Sequence, residues 1–140
     1  MSFINYVTQI QIDFGALSLL KAECERVGIS RPLIVTDAGV KAVGILEKAL
    51  AALPSVQVSV FDQTPSNPTE AAVRAAVAVY QQNGCDGLIA LGGGSSIDCA
   101  KGVAIAATHE GPLKTYATIE GGSLKITDRV APLIAVPTTA

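Results

Sequence analysis

Short apolar runs rich in β-branched residues alternate along the chain with longer segments whose apolar residues recur at helical spacing. The runs are Leu33-Ile34-Val35-Thr36, Val56 to Phe61, Gly87 to Leu91 and Leu133-Ile134-Ala135-Val136, and each reads as a strand. Most are apolar almost without interruption, as parallel strands covered on both faces should be. Val56-Gln57-Val58-Ser59-Val60 alternates instead and belongs nearer a sheet edge.

The helices fall between these runs. Leu20, Cys24 and Val27 stand at i, i+4 and i+7, with Gly28 placed to end a first helix. A second is predicted from about Ala38 to Leu53, with Leu46, Leu50 and Leu53 in register and Pro54 as a stop. Val73, Ala76, Val77 and Tyr80 mark a third that ends near Gly84. Its start reads as Asn67 in the N-cap, Pro68 in the first helical position and Glu70 three residues past the cap. The fourth begins at about Ser95 or Ser96 and runs through Ala100, Val103, Ala104 and Ala107. From about Gly111 to Arg129, including Glu120-Gly121-Gly122-Ser123, an irregular excursion precedes the last strand.

Strand and helix alternating at this spacing predict an α/β fold. The sheet should be open and mostly parallel, with right-handed crossovers and helices on both faces, Rossmann-like in outline. Ligands of such sheets bind at the carboxyl ends of the strands. The informative residues therefore follow the strands: Asp37, Asp62, Gly92 to Asp98, and Pro137-Thr138-Thr139.

Composition narrows the function classes. At 140 residues the chain fits one compact domain, and no linker or internal repeat divides it. Charged residues make up only 16% and the net charge is -2, which excludes a phosphate-tracking nucleic-acid surface. No apolar run approaches the roughly 18 residues that cross a bilayer, and Met1 to Tyr6 lacks the features of a signal peptide, so a soluble cytoplasmic protein is expected. Cys24, Cys85 and Cys99 are odd in number and lack CxxC spacing; they read as buried thiols.

The chemistry concentrates where Leu88-Ile89-Ala90-Leu91 runs into Gly92-Gly93-Gly94-Ser95-Ser96 and then a helix. Three successive residues without side chains let the main chain turn tightly and bring its N–H groups close to phosphate oxygens, while the helix start adds partial positive charge. Ser95 and Ser96 add hydroxyls. Neither common phosphate motif is present: the Rossmann fingerprint needs Gly or Ala where Ile97 stands, and the P-loop needs Gly-Lys-Ser/Thr. The plainer alternative is a tight turn with Ser95 as N-cap and Asp98 in a capping-box role. Three glycines and two serines exceed what such a turn requires.

Gly92-Gly93-Gly94-Ser95-Ser96-Ile97-Asp98-Cys99-Ala100-Lys101 resembles the Gly-Gly-Gly-Ser-x-x-Asp-x-Ala-Lys signature of the iron-containing (group III) alcohol dehydrogenases. Three further matches occur in the family's order: Val35-Thr36-Asp37, Pro65-Ser66-Asn67-Pro68-Thr69 and Ala135-Val136-Pro137-Thr138-Thr139-Ala140. Together they cover essentially the whole chain.

The resemblance implies a domain that binds NAD(H) or NADP(H). Gly93, Gly94 and Ser95 would hold the pyrophosphate, and Asp98 would lie near the nicotinamide end, doubling as a first-turn acid favoured by the helix dipole. Asp37 would accept from the adenosine ribose 2′-hydroxyl and repel a 2′-phosphate, which favours NAD over NADP; its structural alternative is an N-cap for the second helix. Asn67 would contact the cofactor unless capping alone explains it. Thr138 and Thr139 would supply hydroxyls, or serve only as turn residues.

The family's Pro-Thr-Thr motif continues beyond the point where this sequence stops, so a truncated dinucleotide-binding domain over residues 1–140 is expected, without the helical metal-binding domain. In the family that second domain holds Fe2+ or Zn2+ through one aspartate and three histidines. The single histidine here, His109, reads as a solvated loop residue, and no metal ligand or catalytic residue is assigned. The implied activity is hydride transfer between nicotinamide and a small alcohol or aldehyde. A homodimer is implied too, with an early strand near Tyr6 to Ile12 as an edge that could pair. A polyol or maleylacetate reductase, or a dehydroquinate-synthase-like lyase, would share the same cofactor half. A non-enzymatic flavodoxin-like or response-regulator-like module is disfavoured by the triple glycine and by the lack of an acidic cluster after the first strand.

Overall fold

The computed structural model describes residues 10–112, 126–127 and 129–138. Four strands form one sheet in the order β2-β1-β3-β4: β1 (Pro32–Val35), β2 (Ser59–Phe61), β3 (Gly87–Gly92) and β4 (Leu133–Pro137). Every pairing is parallel, with Leu33 opposite both Ser59 and Leu88, Leu88 opposite Leu133, and Gly92 opposite Pro137. The alternating segment is an edge, as expected, although only Ser59–Phe61 of it pairs.

Alternation along the central strands feeds two cores. Leu33, Val35, Leu88 and Ala90 face α4 (Glu70–Gln82) and α5 (Gly94–Ala106), packing with Val73, Val77, Tyr80, Cys99 and Val103. On the opposite side Ile34, Ile89 and Leu91 face α1 (Leu20–Arg26), α2 (Ala38–Ala42) and α3 (Ile45–Ala51). A single 3-10 turn at Ala16–Leu19 leads into α1. Because β1 and β3 are covered on both faces, all of their residues are buried, which is why their sequences carry no polar alternation.

Several boundaries differ from the sequence reading. The second helix is two helices, broken at Gly44, whose φ of 83° is open to glycine at little cost. The break also changes the buried face: Leu46, Ala49 and Leu53 point inward and Leu50 is exposed. The third helix starts at Glu70 with Thr69, not Asn67, as its cap; the Thr69 hydroxyl accepts from the Ala72 N–H at 3.2 Å. Pro68 therefore lies before the helix and not in its first position. The fourth helix starts at Gly94, so neither serine caps it, and Asp98 lies beyond the first turn rather than in it. Ile10 to Ile12 form no strand; the remainder of that expected edge, 113–125 of the irregular excursion and Thr139 lie outside the described residues.

His109 is buried, contrary to its reading as a solvated residue. Its Nε2 accepts the Thr127 N–H at 2.9 Å, which leaves Nδ1 to donate to the Ile105 carbonyl at 3.1 Å. The ring thus closes the end of α5 against the segment entering β4, a neutral structural tautomer. Cys24 and Cys99 are buried and Cys85 half-buried, all as free thiols. Burial pushes all three up, Cys24 to about 11 with help from Asp86, Glu25 and Glu23, so thiolate chemistry is suppressed.

The amino ends of β1 and β3 are tied together by Asp86. Its carboxylate accepts from the Ser30 N–H at 3.1 Å, the Ser30 hydroxyl at 2.6 Å and the Arg31 N–H at 2.8 Å. Burial alone would raise its pKa, but the Ser30 hydroxyl and the two backbone donors outweigh that and hold it below its ordinary value. A depressed folded-state pKa stabilises the fold above the unfolded value, and that stability is lost as pH falls through the folded one. Asp86→Ala is expected to cost about 1–3 kcal/mol near neutrality. In urea unfolding, its gap from the parent protein should close as the pH drops through the carboxylate range; a gap independent of pH would contradict this role.

Candidate functional site

The carboxyl ends of β1, β3 and β4 open into a cleft of 380 Å³ lined by Asp37, Val43, Ile45, Gly93, Gly94, Ser95 and Thr138 among others. Five of the eight residues singled out from the sequence therefore share one cavity. Asn67 and Asp98 are exposed and do not line it, and Thr139 is outside the described residues.

The glycines divide their duties. Gly92 ends β3 with φ 148°, and a Cβ there would stand 2.7 Å from the Ser96 Oγ and 3.3 Å from Asp37 Oδ2. It is required by the backbone and by the close approach of α5. Gly93 is the N-cap in an ordinary extended conformation, and Gly94 begins the helix. A Cβ on Gly94 would meet nothing within 4 Å, so the fold places no demand on that glycine; what its lack of a side chain keeps clear is the cleft.

α2 and α4 are capped by Asp37 and Thr69, but no side chain caps α5. Gly94, Ser95 and Ser96 fill its first turn, whose N–H groups have no helix carbonyl to accept them. Gly94 and Ser95 of that turn line the cleft, so the positive end of a thirteen-residue helix lies at its wall, an electrostatic arrangement that favours an anion.

The hydroxyls do something else. Ser96 is wholly buried and donates to Asp37 Oδ2 at 3.3 Å. Asp37 Oδ1 accepts the Val40 N–H at 2.9 Å and so caps α2. The capping alternative for Asp37 is therefore real, yet it uses one oxygen; the second leans toward Ser96 at the cleft. Ser95 donates to the Ser66 carbonyl. Thr138 donates its N–H to the Gly92 carbonyl at 3.0 Å, extending the β3–β4 ladder and leaving its exposed side chain at the rim. Lys41 pairs with Asp62 at 2.7 Å, joining α2 to the segment after β2; exposed as it is, the pair contributes less than about 1 kcal/mol.

Two features were not found by sequence reasoning. Val43 and Ile45 form an apolar flank of the cleft because the helix breaks between them, and Gly44 was the available signal. The Ser95 bond ends on a main-chain carbonyl, which no side-chain pattern announces. Among the described residues no three His, Cys, Asp or Glu side chains converge as a metal site, and no helix is long and apolar enough to cross a membrane.

The chain is 68% identical over its whole length to the 4-hydroxybutyrate dehydrogenase of Cupriavidus necator, covering 37% of that protein. A crystal structure of 1,3-propanediol oxidoreductase superposes with a TM-score of 0.77 at 38% identity, over 89% of this chain and 32% of that one. Sulfoacetaldehyde reductase from Bifidobacterium kashiwanohense, solved in complex with NAD+, gives 0.76 at 26% identity over 89% and 32%. The chain thus spans about a third of the length of these relatives. The family model of the iron-containing alcohol dehydrogenases matches residues 8–140, and the chain belongs to that family.

Proposed function

We propose that residues 1–140 are the dinucleotide-binding part of an NAD-dependent alcohol dehydrogenase and that the cleft at Gly93–Ser95 holds the cofactor's pyrophosphate. The observation that carries this reading is Gly94: an uncapped helix start with open space where a side chain would stand. The cleft's residues fit the cofactor in order. First-turn N–H groups of α5 meet the pyrophosphate, Asp37 Oδ2 accepts from the adenosine ribose, and Thr138 at the rim supplies a hydroxyl, a role also proposed for Thr139. A carboxylate at Asp37 disfavours a 2′-phosphate and so selects NAD over NADP. Asn67 and Asp98, which lie outside the cleft, are proposed to contact the cofactor beyond it, Asp98 near the nicotinamide end.

When bound, the nicotinamide exchanges a hydride with a carbinol carbon, turning alcohol and NAD+ into aldehyde, NADH and a proton. This part of the chain binds and aims the cofactor. Its described residues offer no metal ligand set, so an Fe2+ or Zn2+ ion acting on the substrate oxygen would be held elsewhere in the intact protein. The 68% identity to a 4-hydroxybutyrate dehydrogenase supports a short ω-hydroxy carboxylate as the alcohol. Family membership sets aside the flavodoxin-like alternative. The intact protein is proposed to work as a homodimer in the cytoplasm.

Gly94→Val in the intact protein is expected to change the unfolding free energy little, by about 0.5 kcal/mol or less, because a Cβ at this position meets nothing within 4 Å. Its NADH affinity, read by fluorescence titration, should fall at least about tenfold as the phosphate seat is filled. Unchanged affinity would refute the cradle. Asp37→Asn keeps an N-cap but removes the charge. The ratio of NADH to NADPH affinity should then drop by about tenfold, toward NADPH; an unaltered ratio would remove Asp37 from cofactor selection.

A further inference from the structure

Ser95 lies in the cradle, and the family signature would have its hydroxyl serve the phosphate. A serine hydroxyl carries one proton. In this structure that proton is given to the carbonyl of Ser66, in the segment that runs from β2 to α4. A phosphate oxygen at cofactor pH can only accept, so the same hydroxyl cannot donate to a phosphate while it holds Ser66.

The neighbouring residue is Asn67. Capping of α4 belongs to Thr69, so the Asn67 side chain has no part in starting the helix. Asn67 is exposed and stands next to the one carbonyl that the cradle grips. The segment's other ties lie on either side: upstream, Lys41 with Asp62 and the Thr64 N–H with the Thr36 carbonyl at 3.3 Å; downstream, Thr69 with the first turn of α4, its hydroxyl accepting from Ala72 and its carbonyl from Val73. The Ser95 bond is the anchor nearest to Asn67, and it runs from the first turn of α5 across to the loop.

We infer that Ser95 is a positioning residue: its hydroxyl latches the 62–69 segment to the start of α5 and sets Asn67, while its main-chain N–H alone serves the pyrophosphate. The inference rests on the cofactor reading above. It makes the signature serine a link between the phosphate seat and the asparagine that follows β2, and it predicts that the two side chains act as a unit.

A double-mutant cycle in the intact protein tests it with NADH as the probe. Ser95→Ala and Asn67→Ala should each weaken NADH binding by about three- to tenfold, the scale of one hydrogen bond. In the Asn67→Ala background, Ser95→Ala should add almost nothing, whereas with Asn67 intact Ser95→Thr, which keeps a hydroxyl, should retain most of the affinity that Ser95→Ala loses. Multiplying losses would show a direct phosphate contact and overturn the role. Hydrogen exchange on the unmutated protein gives a readout independent of any variant's stability. The 62–69 segment should stay at least as protected when NADH binds, because the latch persists; faster exchange with NADH would mean the hydroxyl had left Ser66 for the phosphate, and overturns it. Absence of saturable NADH binding by the unmutated protein would fail the cofactor reading itself, and the role with it. Retained binding with multiplying losses fails the role alone.

Discussion

The left-handed backbone at Gly92 governs the rest of the site. A strand that ends there, opposite Pro137, must turn into a helix within two residues, and the turn brings Ser96 so close that a methyl group on Gly92 would stand 2.7 Å from its hydroxyl. That proximity places Ser96 against Asp37, across the neighbouring strand, and leaves the first turn of α5 uncapped and facing outward. The Asp37 carboxylate, the first turn of α5 and the β4 rim thus meet around a single backbone conformation at the centre of the sheet.

The sheet was legible because its residues are redundant in their message. Leu33 to Val35 and Leu88 to Leu91 are buried on both faces, and only a parallel sheet under two helical layers needs such runs. Helix starts were less legible. Asn67, Pro68 and Glu70 satisfy every rule for a capping box, yet Thr69 wins the cap; candidate caps two residues apart differ by too little local energy for the pattern to decide. The same closeness hid the start of α5, where Ser95 and Ser96 are better caps than Gly93 but spend their hydroxyls on Ser66 and Asp37. His109 was misread for another reason: its burial depends on Thr127, far along the chain, and distant partners leave no trace in periodicity.

The site itself was partly legible. Residues following strands converge by topology alone, which is why Asp37, Gly93, Gly94, Ser95 and Thr138 line one cleft. What the sequence concealed is the division of labour among them. Gly92 serves the backbone while Gly94 keeps the cleft clear; one oxygen of Asp37 caps α2 and the other accepts from Ser96; and both serines spend their hydroxyls on the protein, Ser95 on Ser66 and Ser96 on Asp37.

The central claim is that main-chain donors at the start of α5 receive the pyrophosphate. Backbone amide resonances of the intact, isotope-labelled protein, followed during addition of NADH, test it most directly. The account predicts that the amides of Gly94, Ser95 and Ser96 move first and furthest, in step with those around Asp37. Largest shifts at the opposite end of the sheet, around Gly28 to Ser30, with the Gly94 to Ser96 amides unmoved, would contradict it.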